Sequence, residues 1–116
     1  MGKIVSLKNR EFAEVYKLHQ SKANKLLIMY MKKNDLDTNR LGISISKKVG
    51  NSVVRHRFCR LVRESYRLND HRLKNGYDIV VLARPSVVGL KCQEIEKAYL
   101  HLLGLHHLLL EDDGII

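Results

Sequence analysis

The stretch from Lys47 to Arg67 constrains this chain more than any other. Seven cations stand in it against one carboxylate, Glu64, and they are not scattered. On a helix of 3.6 residues per turn, Val54, Phe58, Leu61, Val62 and Leu68 gather on one side. His56, Arg60, Arg63 and Arg67 stack on the other, at spacings of four, three and four. Arg57 sits beside that ridge, close to Glu64, and Arg55 lies towards the opposite edge. A helix of this kind buries one face in a core and shows an arginine ridge to something outside it. Lys47-Lys48-Val49-Gly50-Asn51 makes the turn into the helix, Asn51 or Ser52 its cap, and about Leu68 its end.

A solvated charged face is the ordinary reading of a basic helix surface. Two features favour a ligand. Solvated faces mix signs, and like charges at four-residue spacing each cost about a few tenths of a kcal/mol; here Glu64 alone offsets the ridge. Arginine also prevails where lysine would serve solubility, and its planar fork suits bidentate contact with phosphate. The whole chain carries 21 Lys and Arg against 12 Asp and Glu, a formal charge of +9. Such a field attracts polyanions, and the footprint of charge plus periodicity points to nucleic acid. Lys47 and Lys48 belong to the same surface, beside a helix N-terminus whose backbone amides favour an anion.

The remaining pattern supplies the body that holds this helix. Phe12, Val15 and Tyr16 share one face of a first helix that Asn9 can cap. Residues 25 to 33 contain an apolar run, Leu26 to Met31, that reads as a strand covered on both sides. Leu41, Ile43 and Ile45 alternate with Gly42, Ser44 and Ser46, a strand with one buried face and one small, polar face. Beyond the Asn75-Gly76 turn, Tyr77 to Ala83 is a continuous apolar strand that stops near Arg84-Pro85. A last helix runs from about Gln93 to Leu110 with Ile95, Ala98, Tyr99, Leu102 and Leu109 on one face. The expectation is an α+β domain over residues 1–116, in helix-strand-strand-helix-strand-helix order, built as a small two-layer sandwich, with residues 111–116 frayed. No apolar run approaches the roughly 20 residues of a membrane-spanning helix, so a soluble, cytoplasmic chain without a membrane partner is expected. No obligate protein partner is evident either. Cys59 and Cys92 lack metal-site spacing and read as reduced thiols.

The segment from Lys47 to Arg67 also resembles the signature of the bacterial ribonuclease P protein subunit. In that family a Lys-Lys-x-Gly-Asn turn leads into a helix with an Arg-Asn-Arg core and further arginines. Phe12 and Tyr16 resemble its paired aromatics, Tyr30 its aromatic on the first strand, Leu41 to Ser46 its second strand and Ile79 to Pro85 its final one. His56 stands here in the middle of the Arg-Asn-Arg core, and Cys59 replaces a residue that is usually basic. The resemblance implies a fold similar to the second domain of ribosomal protein S5, with a left-handed βαβ crossover carried by the basic helix. It implies that a catalytic RNA subunit performs the hydrolysis with Mg2+ that the RNA mainly holds, none being bound by the protein alone. Lys47, Lys48, Arg55, His56, Arg57, Arg60, Arg63 and Arg67 would then face that RNA. Phe12, Tyr16, Tyr30, Ser44, Ser46 and Arg84 would line a groove for the single-stranded 5′ leader of precursor tRNA.

From residues alone, the aromatics read equally well as core or as platforms on which unpaired bases stack. Arg84 ends a strand beside the groove and could reach a leader phosphate, but a lone strand-end arginine is more often simply solvated. His101, His106 and His107 lack the four-residue spacing that would converge on a metal, and no protein residue is assigned a catalytic role. Three other classes stand beside the first: a structural RNA-binding protein of ribosomal type, a DNA reader laying its helix in the major groove, and a nuclease that needs no RNA partner.

Overall fold

Val80 and its neighbours explain the architecture. Along the strand Tyr77–Ala83, Ile79 and Val81 point to one side and Val80 and Leu82 to the other, and three of the four are fully buried. A strand that is apolar on both faces needs cover on both. The computed structural model describes residues 5–110 and supplies that cover. In chain order the elements are α1 (Asn9–Lys17), β1 (Ser21–Ala23), β2 (Leu27–Lys33), β3 (Arg40–Ser44), α2 (Ser52–Asn69), β4 (Tyr77–Ala83) and α3 (Cys92–Leu105). The sheet order is β1-β2-β4-β3, with β4 antiparallel to β2 and parallel to β3. On one face Leu27, Met29, Leu41, Ile79 and Val81 pack against Phe58, Val62 and Tyr66 of α2 and Ile95, Tyr99 and Leu102 of α3. On the other, Val80 meets Leu7 and Val15, with Phe12, Tyr16, Tyr30 and Leu82 around them.

The α+β class and the order of the long elements follow the sequence. The two-layer expectation does not, because α1 lies across the sheet from α2 and α3. The edge strand β1 is not legible in the sequence: Ser21, Lys22 and Ala23 are all exposed, so the strand has no apolar alternation to read. Helix α1 starts at Asn9 after Lys8, whose amide donates to Glu11 Oε1 at 2.8 Å, so Asn9 is not the cap. Helix α3 ends five residues early by comparison with the expected Leu110. His107 adopts a left-handed φ of 59°, and the chain reverses to bury Leu108 and bridge Leu109 to Leu73. A leucine-rich run reads as helix whichever way it is buried. The expected frayed tail, residues 111–116, lies outside the described residues.

His106, at the end of α3, is buried and sits 2.8 Å from the Met29 carbonyl through Nε2. A carbonyl only accepts, so Nε2 carries the proton and donates. Burial lowers the His106 pKa from 6.5, more than the Met29 hydrogen bond raises it, with Lys22 and His107 adding to the lowering. The folded chain therefore favours neutral imidazole, and unfolding takes up a proton between the lowered folded pKa and 6.5. Stability from this group is complete above about pH 6.5 and declines as pH falls through that window. Melting followed by circular dichroism from pH 7.5 to 5 is expected to show a steeper acid decline for the wild type than for His106→Gln. Equal slopes would mean that His106 is not the group concerned.

Candidate nucleic-acid interface

Asn51 caps α2, its Oδ1 accepting from the Val54 amide at 3.0 Å. From there the helix buries Phe58, Val62, Ser65, Tyr66 and Asn69. Directly opposite, His56, Arg60, Arg63 and Arg67 are all exposed, as the spacing requires. Leu68, placed with the buried face by sequence, is instead 45% exposed. Polar residues take the inner positions: Ser65 Oγ donates to Leu61 O at 2.9 Å, and Asn69 Nδ2 donates to Ser65 O and Glu96 Oε2, both at 2.8 Å. Satisfied in this way, they are invisible to hydrophobic periodicity.

The ridge is not uniform. Glu64 pairs with Arg67, Oε2 to Nη2 at 2.6 Å, rather than lying against Arg57. Arg67 is thus partly neutralised, which leaves Arg60 and Arg63 as exposed arginines with no ion pair among the described residues. His56, Arg57, Arg60 and Arg63 line one broad concavity with Ser52 and Val53. Arg55 is half-buried, and its Nε is enclosed without a hydrogen-bond partner. Lys47 and Lys48 are exposed in the turn before α2, where the Lys48 amide donates to Ser46 Oγ at 3.1 Å. Ser46 therefore braces the turn and lies past the end of β3 rather than on the sheet. Cys59 lies between Arg55 and Arg63; burial pushes its thiol pKa up, against the pull of both arginines, which does not suit a nucleophile.

On the opposite face of the sheet, register places the aromatics. Tyr30 pairs with Val80 and Val80 with Gly42, so these three form one row beneath α1. Gly42 matters there for space: a Cβ on it would stand 2.6 Å from Phe12 Cζ, so only glycine lets the ring lie on the strand. Phe12 and Tyr16 have ring centroids 6.2 Å apart, and Tyr16 meets Tyr30 edge-on at 4.9 Å. Burial raises the Tyr16 phenol pKa, with the Ser44 side chain acting against it. The next row is Ile28, Leu82 and Ser44, all half-buried. Arg84 follows past the strand end, exposed, with Nη1 donating to Asn24 O at 3.2 Å. Sequence reasoning missed Ile28 and Leu82. Both read as core, and only the pairing register puts them beside the aromatics.

Arg40 fixes α1 over this surface. Its Nε and Nη2 donate to Asp78 Oδ1 and Oδ2 at 2.8 and 2.9 Å, and its Nη1 donates to Glu11 Oε2 at 2.6 Å. The ridge and the aromatic row then meet at β3. Ser44 lines one concavity with Arg55, His56 and Arg63, and Phe12 lines another with Gly42, Cys59 and Arg63. Among the described residues no group of three or more His, Cys, Asp or Glu side chains gathers to hold a metal ion. The described residues contain no helix long and apolar enough to cross a membrane.

A mixed sheet with an arginine helix on one side and half-open aromatic rings on the other defines a small α+β protein of the RNA-binding class. Comparison with known proteins narrows it. The ribonuclease P family description matches residues 3–106. The ribonuclease P protein component of Lachnoclostridium phytofermentans is 57% identical over 105 residues, covering 90% of each chain. That of Alkaliphilus oremlandii is 51% identical over 102 residues, covering 88% of this chain and 90% of the relative. The solved RNase P protein of Staphylococcus aureus is similar at a TM-score of 0.84 and 32% identity, covering 93% of this chain and 100% of that one. The Thermotoga maritima protein gives 0.78 and 30%, covering 84% and 94%. The chain belongs to the bacterial ribonuclease P protein family.

Proposed function

We propose that this chain holds two RNAs at once, the catalytic RNA of ribonuclease P and the 5′ leader of precursor tRNA. The carrying observation is the junction at β3, where Ser44 and Arg63 line one concavity although they belong to different surfaces. Arg55, His56, Arg57, Arg60, Arg63 and Arg67, with Lys47 and Lys48, meet phosphates of the catalytic RNA. Phe12, Tyr16 and Tyr30 offer ring faces to unpaired leader bases, Ser44 offers a hydroxyl, and Arg84 reaches a leader phosphate. Ser46 contributes by bracing the lysine turn. The protein orients the leader, and Mg2+ in the catalytic RNA supplies the hydrolytic chemistry. In this reading residues 5–110 form one domain of the kind found second in ribosomal protein S5. The β3–α2–β4 crossover is left-handed, and the parallel pairing of β3 with β4 supports the βαβ unit that this topology needs. The place of action is the cytoplasm, where precursor tRNA is made.

Tyr16→Ala tests the leader groove. Loss of one stacking ring is worth about 1–3 kcal/mol per base, so binding of leader-bearing precursor to the reconstituted holoenzyme is expected to weaken on the order of tenfold or more. Mature tRNA is expected to bind as before, and fluorescence titration of both substrates measures the difference. Equal losses for the two would remove the groove reading.

A further inference from the structure

Next to the arginine ridge, and outside the residues assigned above except for Arg57, the first turns of α2 face the Val87–Gly89 segment and the start of α3 across an apolar recess of about 380 Å3. Phe58, Leu61 and Ile95 form its floor and Val53 and Val88 its rim. Val53 is 73% exposed and Val88 51%. Isolated exposed valines need no explanation. Two of them on the rim of one recess, with a buried apolar floor between, form a site with shape. Arg57 lines this recess and also the ridge concavity, as does Val53, so the two depressions share a wall.

We infer that this recess receives one unstacked base of the RNA whose backbone lies on the ridge. The inference rests on the RNA-binding reading above and adds to it a base pocket and the ligand it takes. The recess has room for a purine, its walls are apolar as a base face requires, and no carboxylate among the described residues lines it. Arg57 lines both depressions and Arg60 the ridge concavity, so in this reading the Arg57 guanidinium stacks on the base while Arg60 takes the adjoining phosphate. A second copy of this chain fits poorly, because two bodies of formal charge +9 repel. A base seated here fixes the register of the RNA along the helix, which phosphate contacts alone leave free to slide.

The test uses a bacterial ribonuclease P RNA, the full chain and the Val53→Ser/Val88→Ser double variant. Both side chains are largely exposed, and circular dichroism and melting establish that the variant folds. Dimethyl sulfate and carbodiimide together read the pairing edges of all four bases. The wild type is expected to protect at least one unpaired base that becomes reactive again with the double variant. Affinity is expected to fall on the order of tenfold, with the salt slope unchanged because no charge is removed. A variant with wild-type footprint and affinity would overturn the inference. So would a loss of footprint accompanied by a flattened salt slope, which would mean that the valines only shape the ridge. If polyglutamate binds the wild type, loses affinity for the variant and RNA binding is untouched, the recess docks protein and the inference fails. If the wild type itself shows no salt-dependent binding of the RNA, the RNA reading falls and this one with it, a result distinguishable from the others.

Discussion

Arg60→Ala combined with Arg63→Ala is expected to weaken assembly with ribonuclease P RNA by about a hundredfold at low salt, on the scale of two charge-assisted hydrogen bonds. The plot of log affinity against log salt is expected to flatten by about two units, one per phosphate contact removed. These two arginines are exposed and form no ion pair among the described residues. Their removal takes nothing from the core and relieves like-charge repulsion along α2, so melting is expected to hold or rise slightly. Arg67→Ala is expected to do less, because its charge is already met by Glu64 at 2.6 Å. Filter binding at several salt concentrations measures all three proteins. An unchanged slope in the double variant would reduce the ridge to a solvated face.

Asp78→Ala is expected to have the largest effect on stability. The Asp78 side chain is 1% exposed and accepts two bonds from Arg40, with a third from Asn34 Nδ2 at 2.9 Å. Removing it leaves a guanidinium and an amide without their acceptor inside the protein. Breaking a buried pair costs about 3–5 kcal/mol. The lower end applies here, since the Arg40 side chain is 21% exposed and water can reach its freed donors. A loss of about 3 kcal/mol corresponds to a fall in Tm on the order of 10 °C or more. The same arginine holds Glu11 of α1, so the aromatic row is expected to loosen with it. Asp78→Asn, which keeps an acceptor oxygen, is expected to lose less. Urea unfolding of the three proteins measures the difference, and a wild-type midpoint for Asp78→Ala would remove the Arg40 contacts with Asp78 and Glu11 from the explanation of the fold.

What the sequence revealed, and what it hid, follows one physical line. Helix α2 was legible because its burial is periodic: Phe58 and Val62 turn inward and Arg60 and Arg63 outward by spacing alone. The strands β2, β3 and β4 were legible from apolar alternation or apolar runs. Features that depend on pairing were not. Ile28, Leu82 and Ser44 become one row only through the register of three strands distant in sequence. The position of α1 on the far face was hidden for the same reason, since a strand apolar on both sides does not say which helix covers which. Glu64 was legible as a charge but not as the partner of Arg67. Arg40 carries no signal in the sequence, although its single guanidinium joins α1 to the sheet. The family resemblance carried the aromatics to a shared surface, where half-burial is compatible with either packing or stacking.

The most direct test is cleavage of a precursor tRNA bearing a 5′ leader, at Mg2+ low enough that a bacterial ribonuclease P RNA is weak alone. The protein, the RNA and the two together are compared. The expected result is release of the leader by the mixture at a rate well above that of the RNA, with no cleavage by the protein alone. Cleavage by the protein alone would place the chemistry in the polypeptide and contradict the division of labour proposed here. A mixture no faster than the RNA would contradict its role in leader processing altogether.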